Sequence, residues 1–357
     1  MFKTILITGL NGQLGQHLAL FFQENHPDFK VVGTVRHKSY DKQPKIYDPS
    51  KVFVDVLDLY DSISIETVIK RHKPDYIFNS SANAFVGESW ILAEQHFNVN
   101  CLGVLKLLEA VKNHSPHSRF INMGTSEELG CTLEDSPNGA QNEETKISPK
   151  SPYAVSKVAA RHIIDVYRNS YNLYAIQPWT FNFESKLRGE KYVTRKITKG
   201  VGRINRAIQN KESFKPIELG NLNSSRSWQH AADVSEGLWL IANQDGEPKD
   251  WKPYVLSENA THTIREFVEK AFAIAGISGS WIGEGLEEKF IIDNYLNEIG
   301  ELKSQVLVSV NPEFFRPSDV DYLYGCSDKI RCELGWKPKK TFEDLLEEMV
   351  NWDVNNP

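Results

Sequence analysis

The chain has 357 residues, with 41 Lys and Arg against 47 Asp and Glu and a formal net charge of -6. That balance gives no reason to expect nucleic acid or an anionic membrane as the main partner. No window approaches the ~18 consecutive apolar residues that a membrane span needs. The four cysteines, Cys101, Cys131, Cys326 and Cys332, form no CxxC, and the histidines do not pair with them at metal-ligand spacings. They read as free thiols in a reducing compartment, which predicts a cytoplasmic protein without a metal centre.

Residues 4–7 are a short β-rich apolar run, consistent with a buried strand. It leads into glycines at 9, 12 and 15, and then into a helical pattern over 17–22. At a strand-to-helix turn the first glycine permits the sharp bend. The second lets a pyrophosphate approach the backbone, and the third lets helix and strand pack closely. Free amides at the helix start then attract the phosphates. A second strand over 30–35 completes the expected unit. It is followed by Arg36 and Lys38 and by no acid. An acid there bonds the ribose of NAD, whereas a base accommodates the extra phosphate of NADP, so NADP is the expected cofactor.

Strand and helix keep alternating: strand 52–56, then Asp58-Leu59 where a polar group can reach an adenine, helix 65–71, strand 75–79 ending at Asn79 to Ala82, helix 96–112, and strand 119–123. This rhythm predicts an α/β fold, a Rossmann-type doubly wound parallel sheet with its ligand at the carboxyl ends of the strands. Thr125, Glu127 and Glu128 follow the last of these strands. After a polar stretch over 131–150 comes Tyr153, with Lys157 four residues on. That spacing puts both on one helix face. A neighbouring ammonium favours a phenolate, so Lys157 is expected to lower the Tyr153 pKa from ~10 and make it a base.

Beyond a strand at 174–178 the chain leaves the sheet. Arg188, Arg195, Lys196 and Arg203 are cations able to neutralise a diphosphate. Residues 227–243 are helical, and Thr263 with Glu266 three later reads as a capping box. Residues 286–307 carry no functional reading, and 342–352 form a closing helix. The expected domains are 1–180, with 221–246 packing back on it, and a smaller α/β substrate-binding domain from 181–220 and 247–357.

With the glycine turn at Thr8 to Gly15, Asp58-Leu59, Asn79 to Ala82 and the Tyr153/Lys157 pair, the chain resembles the extended short-chain dehydrogenase/reductase family. Within that family it is similar to the GDP-mannose 4,6-dehydratases. The strings that carry this are Gly124-Thr125-Ser126-Glu127-Glu128-Leu129-Gly130, Asn182 to Gly189, Val193 to Ile197, Leu219 to His230, Arg316 to Asp321 and Leu334 to Pro338.

The resemblance implies cofactor contacts at Gly9, Asn11, Gly12, Gln13, Leu14, Gly15, Arg36, Asp58, Leu59, Asn79, Ala82, Tyr153 and Lys157. It implies GDP-sugar contacts at Asn182, Arg188, Val193, Lys196, Leu219, Arg226, Arg316 and Asp319. It also implies a homodimer or homotetramer built through the helices at 96–112 and 153–171. In the implied chemistry hydride is stored on NADP and returned within one turnover. Tyr153 takes the carbon-4 hydroxyl proton, Thr125 holds that oxygen, and Glu127 moves the carbon-5 proton and helps water leave carbon 6. Glu128 is the alternative base.

The chain departs from the pattern at Ala84, where a serine is usual, and in carrying one arginine where pairs are usual. These departures keep two alternatives open: a GDP-sugar 4-epimerase or 4-dehydrogenase, and a dehydratase for a related GDP-heptose or GDP-N-acetylhexosamine.

Overall fold

The computed structural model describes residues 3–37, 44–130, 139–296, 302–315 and 322–356. Six strands, β1 (Thr4–Thr8), β2 (Lys30–Val35), β3 (Val52–Val56), β4 (Tyr76–Asn79), β5 (Arg119–Asn122) and β6 (Ala175–Ile176), form a parallel sheet in the order β3-β2-β1-β4-β5-β6. Successive side chains of a strand face opposite ways, and β1 shows the consequence. Ile5 and Ile7 enter a core with Leu18 and Phe22 of α1 (Gln13–Asn25), whereas Leu6 enters the opposite core. That opposite core holds Ile65 of α2 (Ser62–His72) and more distant helices of the same face. Burial on both faces explains why β1 reads as an unbroken apolar run.

The helix expected over 96–112 is interrupted. It consists of α3 (Ala93–Phe97), a π turn over Asn98–Leu102 and α4 (Gly103–His114). The wider π turn points Asn100 inward. Its amide bonds both the N–H and the C=O of Asn83 (2.9 and 3.0 Å), and it donates to Ser156 Oγ at 3.1 Å. This joins the segment after β4 to α5 (Pro152–Tyr171). That helix starts sharply: Ser151 Oγ accepts from Ala154 N at 3.1 Å, and Pro152 occupies the first turn, where its missing N–H costs nothing. The start fixes Tyr153 on the first turn.

A second core surrounds α6 (Val193–Asn210). The helix α7 (Ala231–Ala242) instead packs against α1, with Val234, Leu238 and Ile241 in the first core. Next come α8 (Ile264–Ile274), α9 (Asp328–Leu334) and α10 (Phe342–Asn355), with α8 and α10 closing the second core. Residues 286–307, silent in the sequence, supply much of Lys289–Leu296 and Leu302–Val310. These are the two central strands of a four-stranded sheet completed by Gly279–Ile282 and Ile217–Leu219. Thr263 caps α8 as expected, accepting from Glu266 N at 3.0 Å. The Glu266 carboxylate pairs with His262 (3.0 Å), the residue before the cap, so the reciprocal bond of the expected capping box is not made. Among the described residues no helix is long and apolar enough to cross a membrane.

Candidate active site

The strand order reverses between β1 and β4, so a crevice opens at their carboxyl ends. The glycine turn lies on its floor. Gly9 has φ +69°, and a Cβ at Gly15 would lie 2.3 Å from the Gly9 carbonyl oxygen. Gly12 is the N-cap of α1 and leaves its first amides without a side-chain cap. A turn this bare fits the pyrophosphate of a dinucleotide. Gln13 is buried and already engaged: it donates to the Phe183 carbonyl and accepts from Ser185 Oγ, both at 3.0 Å. Its side chain therefore ties the turn to the 183–185 segment, leaving its backbone for a ligand. Leu14 and Ala82 line the cavity.

Beneath the crevice runs a buried polar chain. Thr8 Oγ1 donates to Asn79 Oδ1 (2.5 Å), Asn79 Nδ2 to Asn122 Oδ1 (2.6 Å), Asn122 Nδ2 to Gln177 Oε1 (2.7 Å), and Gln177 Nε2 to Glu128 Oε1 (3.0 Å). The chain ends at Arg161, whose Nε donates to Glu128 Oε2 at 2.5 Å. The Asn79 side chain is thus engaged in aligning strand ends. Leu59 is likewise a core residue, and Asp58 accepts from Tyr60 N at 3.0 Å to fix its own turn. Arg36 is exposed at the end of β2, and Asn11 is half-buried in the glycine turn. Lys38 lies outside the described residues.

A cavity of about 570 Å³ above this floor is lined by Thr125, Glu127, Tyr153 and Lys157 together. Thr125 caps a short turn. Its Oγ1 accepts from Glu127 N at 3.3 Å, and Glu128 reaches back to Thr125 N at 2.9 Å. The Thr125 hydroxyl therefore keeps its proton to donate. The two glutamates part ways here: Glu127 borders the cavity, while Glu128 is fully buried in the ion pair with Arg161.

The expected lowering of the Tyr153 pKa does not occur in this geometry. Burial dominates and pushes the phenol above its usual range; the Thr125 side chain acts the other way, and the charges of Tyr192, Glu127 and Glu128 add to the rise. Lys157 donates to the Met123 carbonyl at 2.8 Å, and burial lowers its ammonium to about 8 against the opposing effect of Glu128. Each charged form is disfavoured by lost solvation, which here outweighs the attraction expected from the four-residue spacing.

The cations of the second half separate into different environments. Arg188, Lys196 and Arg226 border the cavity that holds Tyr153 and Glu127, with Asn182, Val193 and Leu219. Arg195 does not face it: Nη2 pairs with the buried Asp353 Oδ1 at 2.8 Å. Arg203 faces a different groove, of about 740 Å³, outside α6. Arg316 and Asp319 lie outside the described residues. Sequence reasoning missed Asn100 and Tyr192. The π turn gives no one-dimensional signal for Asn100, and Tyr192 stands next to a recognised string without belonging to it.

The comparisons with known proteins agree with this arrangement. The family model described as GDP-mannose 4,6 dehydratase matches residues 6–349. The chain is 35% identical to a GDP-mannose 4,6 dehydratase of Drosophila melanogaster, covering 99% of this chain and 86% of that one. It is 36% identical to one of Homo sapiens, covering 98% and 91%. Among solved structures, a dTDP-glucose 4,6-dehydratase of Bacillus anthracis in complex with NAD superposes with a TM-score of 0.76 at 20% identity, covering 99% and 97%. At that identity the likeness speaks for the fold. With the family model spanning nearly every described element, the chain belongs to the GDP-mannose 4,6-dehydratase family.

Proposed function

We propose that this protein is an NADP-dependent hydro-lyase that converts GDP-mannose to its 4-keto-6-deoxy derivative. The observation that carries the reading is the shared cavity. It holds an oxidation dyad (Tyr153, Lys157), a hydroxyl donor (Thr125) and a carboxylate not spent on an ion pair with Arg161 (Glu127), facing Arg188, Lys196 and Arg226. An epimerase or simple reductase needs the dyad, whereas loss of water also needs a separate base.

The glycine turn, Leu14, Ala82 and Arg36 would hold the dinucleotide, with Arg36 on its extra phosphate; when bound, the nicotinamide supplies storage for one hydride. Tyr153 takes the carbon-4 hydroxyl proton as its phenolate, a form that burial disfavours in this structure and that the positive charge of an oxidised nicotinamide beside it would favour, and Thr125 donates to that oxygen as it becomes a ketone. The ketone acidifies carbon 5, from which Glu127 takes the proton and passes it to the hydroxyl leaving carbon 6 as water; the 5,6-alkene that remains becomes the product when carbon 6 regains the stored hydride and carbon 5 a proton. Arg188, Lys196 and Arg226 neutralise the diphosphate, a task for which an arginine fork is well shaped. Asn182, Val193 and Leu219, with Arg316 and Asp319, complete the nucleotide contacts. The assembly is a homodimer or homotetramer through the helical segment 96–112 and α5, where Leu102 at the end of the π turn (39% exposed) and Val155 (45%), Val166 (56%) and Tyr171 (49%) of α5 present apolar surface.

One observation favours a second reading. Ala84 gives the cavity a methyl group where a hydroxyl would face the hexose, and Phe85, Val86 and Ile91 extend that apolar wall. Such a wall suits a related GDP-sugar, a heptose or an N-acetylhexosamine. Incubating the protein with NADP and a panel of GDP-sugars, followed by product mass, tests both. Loss of one water from GDP-mannose is the expected result. A product of unchanged mass points to a 4-epimerase and one two hydrogens lighter to a 4-dehydrogenase. No turnover of any GDP-sugar removes the enzymatic reading.

A further inference from the structure

Tyr192 is the N-cap residue of α6 and borders the same cavity as Tyr153 and Glu127. Its ring is held on several sides. The Arg188 guanidinium lies 3.5 Å from its centroid, and Phe85 meets it edge to face at 5.5 Å. Next to it, Lys191 pairs with Glu88, so the segment after β4 and the segment before α6 are strapped together across the cleft. Arg188 is itself pinned: its Nε is 3.0 Å from Glu184 Oε2, and that fully buried carboxylate also accepts from Thr194 Oγ1 at 2.9 Å. Arg188 Nε is not aligned for a hydrogen bond to this partner, so the contact is chiefly one of charge.

The hydroxyl of Tyr192 is treated differently from its ring. It makes no hydrogen bond among the described residues. Burial pushes its pKa up, with Arg188 opposing, so at neutral pH it is a donor. Tyr153 lines the same cavity. A phenol whose ring is held this firmly in the lining of the cavity, and whose hydroxyl has no partner among the described residues, is arranged to donate to a ligand hydroxyl. Its place decides which part of the ligand it meets. It shares the cavity with Tyr153, which serves carbon 4, and lies against Arg188, which serves the diphosphate; the part of the ligand that joins those two groups is the hexose ring.

We propose that Tyr192 is a specificity-determining residue whose hydroxyl donates to a ring hydroxyl of the hexose at carbon 2 or carbon 3, held there by Arg188, Phe85 and the Glu88–Lys191 strap. The inference rests on a GDP-sugar occupying this cavity as proposed above.

The test compares Tyr192→Phe with the unaltered protein on GDP-mannose, GDP-2-deoxymannose and GDP-3-deoxymannose, each with NADP. Removing one hydrogen bond of this kind lowers kcat/KM on GDP-mannose roughly ten-fold. On whichever deoxy sugar lacks the bonded hydroxyl, the substitution has no further effect. GDP affinity, measured by calorimetry, stays the same. Equal losses on all three sugars, or none on any, overturn the assignment. Should the variant fold poorly, the unaltered protein still decides. Discrimination of about ten-fold against one deoxy sugar supports the bond, and equal kcat/KM on all three overturns it. If the unaltered protein turns over none of them, the dehydratase reading fails instead.

Discussion

Glu128 and Arg161 form a buried ion pair, 2.5 Å from Oε2 to Nε, one residue away from a glutamate that faces the cavity. The pair is the end of the polar chain that aligns β1, β4, β5 and β6. Two adjacent carboxylates thus have separate tasks, and substitution should separate them. Glu128→Ala leaves a buried arginine uncompensated and should cost about 3–5 kcal/mol in urea-unfolding stability. Glu127→Gln should leave stability within about 0.5 kcal/mol. It should slow release of water from GDP-mannose by a factor on the order of 10²–10⁴. Unchanged turnover in Glu127→Gln would remove it as the base.

Gly15→Ala should damage the protein at a single point of contact. The added methyl would lie 2.3 Å from the Gly9 carbonyl oxygen and 2.8 Å from Leu10 Cα, both backbone atoms that cannot rotate away. We expect a stability loss of about 1–3 kcal/mol together with loss of dinucleotide binding, followed by thermal unfolding with and without NADP. Full affinity in the variant would show that the turn is not the cradle.

Arg36 bears on the choice of dinucleotide. Arg36→Ala should weaken NADP binding by about ten-fold or more, the loss expected for a charge-assisted bond to a phosphate, while leaving NAD affinity as it was. Calorimetric titration with each dinucleotide measures this. Parallel losses for both would place Arg36 away from the distinguishing phosphate.

His17 sets an acid-side dependence. Burial, reinforced by the nearby His230, lowers its pKa from 6.5 to about 3, and its Nε2 has no hydrogen-bond partner. Because the folded value lies below the unfolded one, the unfolded chain binds a proton below pH 6.5 that folded His17 does not. Stability therefore falls as pH drops from 6.5 towards 3, by about 1.4 kcal/mol per pH unit from this group. Glu348, held at about 2 chiefly by His230 against the effect of its own burial, adds a loss only between 4.5 and 2. The window from 6.5 to 4.5 excludes Glu348 but not Glu258, whose carboxyl burial raises to about 7 and which acts in the opposite sense. His17→Gln removes only the His17 contribution, so the change in urea midpoint from pH 6.5 to 4.5 should move in the stabilising direction relative to the unaltered chain; an identical change in both would refute the assignment.

The sequence alone determined the parallel sheet and the chemistry at its edge. Apolar runs buried on both faces, glycines at a strand-to-helix turn and a Tyr–Lys pair one helical turn apart are local patterns. Each is imposed by geometry within a few residues, so each is readable in one dimension. The tertiary structure alone decided which of two adjacent glutamates faces the cavity, since that depends on Arg161 and Gln177 arriving from elsewhere in the chain. It also decided that burial, and not Lys157, governs the Tyr153 phenol, because solvation is a property of the packed interior. The fates of Arg188, Arg195 and Arg203 were settled in the same way: identical side chains in one stretch acquire different roles according to the surface each meets.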